Sequence, residues 1–233
     1  MITEHIHENP GSLLAAIYLH CIEVMTQGLQ THGDISILLS GGTTPLPLYR
    51  LLAQATLPWT HIHAALVDER WVEPDNRASN EKSLREAFAE NEAALDNFTG
   101  MYLPGQHITR AVPACSDRYR SLPPPALCLL GMGNDAHTAS LFPHAEGLGA
   151  ALTAIRWCAA IEANPSGITG PFTTRMTLTP WAILQAEHLL LLITGQEKRD
   201  VYQQALVEKD FEKSPISLFL QQQQRPVEVF WCP

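Results

Sequence analysis

The sequence lacks most of the features that announce a specialised class of protein. It has no long apolar run: the most hydrophobic stretches, such as 126–130 and 189–193, are five residues each, against the roughly 20 needed for a helix to cross a bilayer. Charge is sparse at 17%, beside 45% hydrophobic residues and a mean hydropathy of -0.04, which excludes a disordered polyelectrolyte or a charge-rich coiled coil. Positive charge is the scarcer sign, with 15 Lys and Arg against 24 Asp and Glu and a formal charge of -9. That balance repels a phosphate backbone and excludes general nucleic-acid binding, so any local gathering of Arg or Lys becomes informative.

Other absences narrow the chemistry. The five cysteines (Cys21, Cys115, Cys128, Cys158 and Cys232) are odd in number and form no C-x-x-C pair or Cys/His zinc spacing, so they are expected as reduced thiols. No P-loop, no dinucleotide G-x-G-x-x-G and no G-x-S-x-G elbow occurs, which removes the signatures of ATP, NAD and a nucleophilic serine. The start of the chain is acidic and polar where a secretion signal would be basic and then apolar, and the cytoplasm is the expected location. His5 and His7 are assigned to a mobile terminus, His61 and His63 flank a strand, and no metal site is expected.

What is present alternates between two periods. Leu13, Leu14, Ile17, Cys21, Val24 and Met25 recur at helical spacing within 11–29, with Ser12 as candidate cap. Strand-like runs follow at 35–39, 62–67, 126–130, 157–161, 189–193 and 227–231. Helical patterns lie between them at 45–54, 79–91 and 197–207, and a short helix is expected to start at 138–142. The strands are continuously apolar, as in a sheet covered on both faces. The expectation is a single α/β domain over residues 1–233, a mainly parallel, Rossmann-like sheet with helices on both faces. The stretches 121–125 and 163–171 are candidate linkers between a helix and a strand.

In such sheets ligands bind at the carboxyl ends of strands, and three strand ends carry the unusual residues. Ser40-Gly41-Gly42-Thr43-Thr44-Pro45 offers close backbone approach, hydroxyls and a helix start, which suits either a phosphate cradle or a plain turn capped by a threonine. Asp68-Glu69-Arg70 supplies a bidentate phosphate donor and a carboxylate for a hydroxyl, or a surface ion pair. The run from Gly131 to Ser140 places Asp135 two positions before His137, where a carboxylate can fix the tautomer of a histidine that takes a proton from water; a loop-bridging histidine fits the same residues. Arg175 and Lys198 are further candidate cations, with Lys198 near a helix start after Gly195.

These motifs, in this order, resemble the 6-phosphogluconolactonase family, within the glucosamine-6-phosphate isomerase/deaminase-like fold group. The resemblance rests on Ser40 to Pro45, on Val67-Asp68-Glu69-Arg70-Trp71-Val72 followed by Ser79-Asn80, on Leu130 to Gly133 with His137 to Pro143, and on Arg175 to Thr179 with Gly195 and Lys198. It implies hydrolysis of 6-phospho-D-glucono-1,5-lactone without metal or organic cofactor. It also implies His137 as general base, Asp135 as its orienter, Gly41, Gly42, Thr43, Thr44, Arg70, Arg175 and Lys198 around the phosphate and neighbouring oxygens, and Asp68 on a sugar hydroxyl. The glycine-rich amides or a cationic side chain are the candidate donors to the oxyanion. One departure stands out: the family pattern is Asp-Gly-His, and this chain has Ala136. A positive φ there would cost an alanine on the order of 1 kcal/mol and displace His137. The expected partner is a small sugar-phosphate lactone, bound by a monomer or small homo-oligomer, with no nucleic acid or membrane. Two alternatives remain: a glucosamine-6-phosphate deaminase/isomerase-type enzyme, and a non-catalytic sugar-phosphate binding protein.

Overall fold

The computed structural model describes all residues from Met1 to Pro233. Six strands form a parallel sheet in the order β1 (Ile2–Ile6), β9 (Val227–Cys232), β8 (His188–Thr194), β5 (Pro125–Leu130), β2 (Ile35–Leu39) and β3 (Ile62–Leu66). Three more, β4 (Asp68–Arg70), β7 (Thr174–Leu178) and β6 (Cys158–Glu162), form a separate antiparallel sheet in that order. The helices are α1 (Pro10–His32), α2 (Leu46–Ala53), α3 (Asn80–Ala87), α4 (Glu92–Asp96), α5 (Ile108–Arg120), α6 (Leu148–Thr153), α7 (Pro180–Ile183), α8 (Gln196–Ala205) and α9 (Pro215–Gln221).

Every residue of β2 and β5 is buried, as the unbroken apolar runs require of parallel strands flanked by helices. From β2 the chain crosses to β3 on one side, whereas β5 pairs on the other, so a crevice opens beyond the carboxyl ends of β2 and β5. One cluster of 64 buried hydrophobic residues runs through both sheets.

The structure departs from the sequence expectations in several places. The N-terminal residues are an ordered edge strand, β1, paired in parallel with β9 from Ile2↔Val227 to Ile6↔Trp231, so His5 is not in a mobile terminus. Helix α1 is capped by Asn9, whose side chain accepts from the Ser12 amide, and not by Ser12. Its 23 residues have the length and the mean hydropathy to span a membrane although polar residues interrupt the apolar ones, but Leu13, Ile17, Cys21, Val24 and Met25 are buried in the core. Residues 68–70 are not the end of β3: the chain leaves the main sheet at Val67 and starts the second one. Residues 163–171 join two strands of that small sheet, β6 and β7, rather than a helix and a strand. No helix starts at 138–142, because Ala136 and Ala139 hold left-handed φ values of 64° and 51° that interrupt any right-handed turn.

Candidate active site

Local sequence shapes each wall of the crevice. After β2, the Ser40 hydroxyl donates to the Leu129 carbonyl and the Tyr49 hydroxyl to the Ser40 carbonyl, both at 2.7 Å, which pins the loop between β5 and α2. Gly41 is required there: a Cβ would collide with the Asn80 carboxamide. Gly42 has φ +95°, a conformation natural to glycine. Neither Thr43 nor Thr44 caps α2; Pro45 is the cap residue and makes no side-chain bond, so the first amides of the helix have no side-chain partner.

After β5, the loop folds on itself. The Thr138 hydroxyl donates to the Gly131 carbonyl, the Gly133 amide to the His137 carbonyl and the Ala136 amide to the Gly133 carbonyl. This brings His137 Nδ1 to 2.5 Å from Asp135 Oδ1, while the same oxygen accepts from the His137 amide at 3.2 Å. A carboxylate accepts from Nδ1–H, which leaves Nε2 as the basic nitrogen. Burial pushes the Asp135 carboxyl up, but the hydrogen bond and charge of His137 outweigh it and hold the group below its ordinary range. Gly133 makes the geometry possible, since a Cβ would strike both the imidazole and the Asp135 carboxylate. The ring also packs against Phe142 with centroids 4.3 Å apart. Ala136 does carry the positive φ foreseen, and with it His137 still pairs with Asp135.

The second sheet supplies two of the three cations and α8 the third. Arg70 donates from Nη1 to the Ala78 carbonyl and to Asn80 Oδ1, at 2.8 and 2.9 Å, and its Nε is buried without a protein partner. Arg175 is 3% exposed, donates to the Phe172 and Thr169 carbonyls, and lies over the Phe142 ring. Burial pulls its pKa down, as it does that of Lys198, which sits on the first turn of α8 and makes no hydrogen bond or ion pair within the protein.

The crevice is a cavity of about 380 Å³ lined by Gly41, Gly42, Thr43, Thr44, Asp68, Arg70, His137, Arg175 and Lys198 together. Of the residues to which the resemblance assigns a catalytic or binding role, only Asp135 is not on the wall; it stands behind His137. Three cationic side chains thus converge in a chain of net charge -9.

Two residues to which the sequence reading gave no role belong to the site. Asn80 bridges Arg70 and the Asp68 carbonyl, and the Ser140 hydroxyl donates to Asp68 Oδ2 at 2.6 Å. Behind them Glu69 accepts from the Ser79 hydroxyl and from the amides of Arg70, Asn80 and Glu81, which ties β4 to the start of α3. Their only sequence signal was membership of the quoted motifs, because each acts through a partner at least ten residues away or through backbone.

Comparison with known proteins bears on family and fold. The profile of the family described as glucosamine-6-phosphate isomerases/6-phosphogluconolactonase matches residues 8–231. The chain is 34% identical over 231 residues to a 6-phosphogluconolactonase of Xylella fastidiosa (strain 9a5c), covering 99% of this chain and 96% of that one. It is 33% identical over 232 residues to one from Rhizobium meliloti (strain 1021), with 98% of each chain covered. The crystal structure of a 6-phosphogluconolactonase from Shewanella baltica OS155 superposes with a TM-score of 0.93 at 34% identity, covering 100% of this chain and 98% of that one. On the strength of that full-length agreement in sequence and fold, this chain belongs to the glucosamine-6-phosphate isomerase/6-phosphogluconolactonase family.

Proposed function

We propose that this protein hydrolyses 6-phospho-D-glucono-1,5-lactone to 6-phospho-D-gluconate, in the oxidative pentose phosphate pathway. The observation that carries the reading is the His137–Asp135 pair set at one wall of a cleft whose other walls present Arg70, Arg175 and Lys198. Cations alone would suit any sugar phosphate; the oriented imidazole beside them suits attack by water.

His137 Nε2 takes a proton from water as its oxygen bonds to the lactone carbonyl carbon. Asp135 keeps Nδ1 protonated and stabilises the imidazolium that forms. The tetrahedral intermediate collapses by breaking the bond from that carbon to the ring oxygen, and the imidazolium returns the proton to that oxygen. The products are a carboxylic acid, which ionises, and a free hydroxyl. Arg70, Arg175 and Lys198, with the Gly41–Thr44 loop, bind the phosphate and neighbouring oxygens, and Asp68 accepts from a sugar hydroxyl. Side chains supply every proton transfer in this scheme, so no metal or organic cofactor is needed. We place the enzyme in the cytoplasm as a single α/β domain, which fits five free, buried thiols.

The test is lactone disappearance at slightly acid pH, where the spontaneous background is slower, with wild type and His137→Asn side by side. The variant is expected to lose roughly 10²–10⁴-fold in kcat with KM nearly unchanged. An unchanged rate removes His137 from the mechanism; ammonia release from glucosamine 6-phosphate would move the enzyme to the isomerase/deaminase branch.

A further inference from the structure

A second concentration of titratable side chains lies outside the cleft, on the face of the parallel sheet beneath α1. The strand register sets Thr3, Glu228 and Leu190 in one row. His5 and His188 each stand two residues from that row, on the same face as Glu228. His20 reaches them from α1. Its Nε2 is 2.8 Å from Glu228 Oε1, His188 Nδ1 is 3.4 Å from the same oxygen, and His5 Nε2 is 3.0 Å from Oε2. None of the four lines the cleft.

The geometry points to a binding site for a zinc-class divalent transition-metal ion, with His20 Nε2, His188 Nδ1 and Glu228 Oε1 as ligands and His5 holding the second carboxylate oxygen. The three ligand atoms all lie within 4.8 Å of one another. Zinc bonds of about 2.0–2.2 Å at tetrahedral angles set neighbouring ligand atoms about 3.3 Å apart, so small side-chain adjustments complete the site. His20 Nε2 is buried and, despite its distance to the carboxylate, has no aligned hydrogen bond. Two ligands of one ion stand in this relation, each beside the other's bonding axis and not on it. His5, stacked on Phe230 at 4.3 Å, fixes the carboxylate in the manner of an outer-shell partner. Side-chain exposures of 28% at His188 and 32% at His5 leave a way in for the ion and for a water as fourth ligand. Bound there, the ion would tie α1 to β8 and β9, beside the edge strand β1.

The test uses tag-free full-length protein, stripped with a chelator and titrated with Zn²⁺ by calorimetry and with Co²⁺ by visible absorption. Wild type is expected to take up about one ion per chain with the intense Co²⁺ bands of a four-coordinate N/O site, and its melting temperature is expected to rise with Zn²⁺. His188→Asn and Glu228→Gln should each weaken binding by roughly 10–100-fold or more, and His5→Asn by less. Should Glu228→Gln fail to fold, His188→Asn, at the half-exposed start of β8, carries the comparison. Lactone hydrolysis by metal-free His188→Asn should equal that of wild type, which separates this site from the cleft. No stoichiometric uptake by wild type, or uptake unaltered in His188→Asn, overturns the proposal.

Discussion

Arg70 and Arg175 stand directly opposite each other across the antiparallel pair of β4 and β7. Like charges so placed destabilise a sheet by a few tenths of a kcal/mol or more. Here each guanidinium is held by backbone carbonyls, Ala78 for Arg70 and Thr169 and Phe172 for Arg175. The carbonyls fix the two cations where an anion placed against both would relieve the repulsion.

A phosphate-bearing ligand should therefore stabilise the protein, and Arg70→Gln should raise KM for the lactone by roughly 10–100-fold, the loss of one or two charge-assisted hydrogen bonds. Inorganic phosphate should raise the melting temperature of wild type and do so less in the variant. Arg175→Gln should raise KM too, but should also lower stability, because the buried Thr169 bond and the part-buried Phe172 bond lose their donor. A KM that stays put in both variants would place the phosphate elsewhere in the cleft.

Ala136 has φ 64° in a loop where the family pattern has glycine. The left-handed conformation costs an L-residue about 1–2 kcal/mol, partly offset by the greater chain entropy of glycine in the unfolded state. Ala136→Gly is expected to stabilise the fold by up to about 1 kcal/mol, a rise of roughly 2–4 °C in melting temperature for a chain of this size, with kcat equal to or above wild type. The surrounding bonds from the Ile216 amide to the Ala136 carbonyl and from the Ala136 amide to Gly133 show why the strain is tolerated. A melting temperature that falls on substitution would mean that the alanine methyl, buried against the core, contributes more than the strain costs.

Fold class and site were legible for different reasons. Continuous apolar runs marked β2, β5 and β8, and glycine with polar residues at their ends marked the loops, because in a doubly covered parallel sheet strand interiors and strand ends obey opposite rules. In the small antiparallel sheet only β6 was legible, as the run 157–161; β4 is three charged residues, Asp68-Glu69-Arg70, and β7 carries Arg175 between two threonine positions, so neither reads as apolar strand. Their burial depends on partners such as Asn80 and Ser140, which only the folded chain supplies. The His5, His20, His188 and Glu228 cluster was invisible for the same reason, since its members lie up to 223 residues apart and none has ligand spacing.

Glu69 offers a pH test of that hidden layer. Burial pushes its carboxyl up to about 7, against the pull of the Glu81 and Asn80 amides, the Ser79 hydroxyl and the Arg70 amide. With the folded pKa above the unfolded value of about 4.5, the folded state binds the extra proton between those values. Its contribution is fully present below about 4.5 and is lost as pH rises through about 7. The melting temperature of wild type relative to Glu69→Gln, whose amide does not titrate, should therefore fall between pH 4.5 and 7 and level off above. A difference that grows over that window would show that the fold selects the ionised carboxylate, for which four donors are already in place.

Gly133 separates the positioning of the proposed catalytic pair, His137 and Asp135, from the stability of the loop. A Cβ there would meet the His137 ring and Asp135 Oδ1, yet the residue's φ is outside the left-handed range, so alanine fits the backbone itself. The conflict falls on the two side chains, which must part or rotate. A misplacement of about 1 Å in a catalytic group costs on the order of 10²-fold in rate. Gly133→Ala is thus expected to lower kcat by about that factor while KM stays close to wild type, because the cations proposed to bind the phosphate are on other walls. Melting curves check that the fold persists. If kcat instead matches wild type, the contact between Asp135 and His137 is not what sets the rate, and the orienting role passes to the loop backbone that holds His137 from the other side.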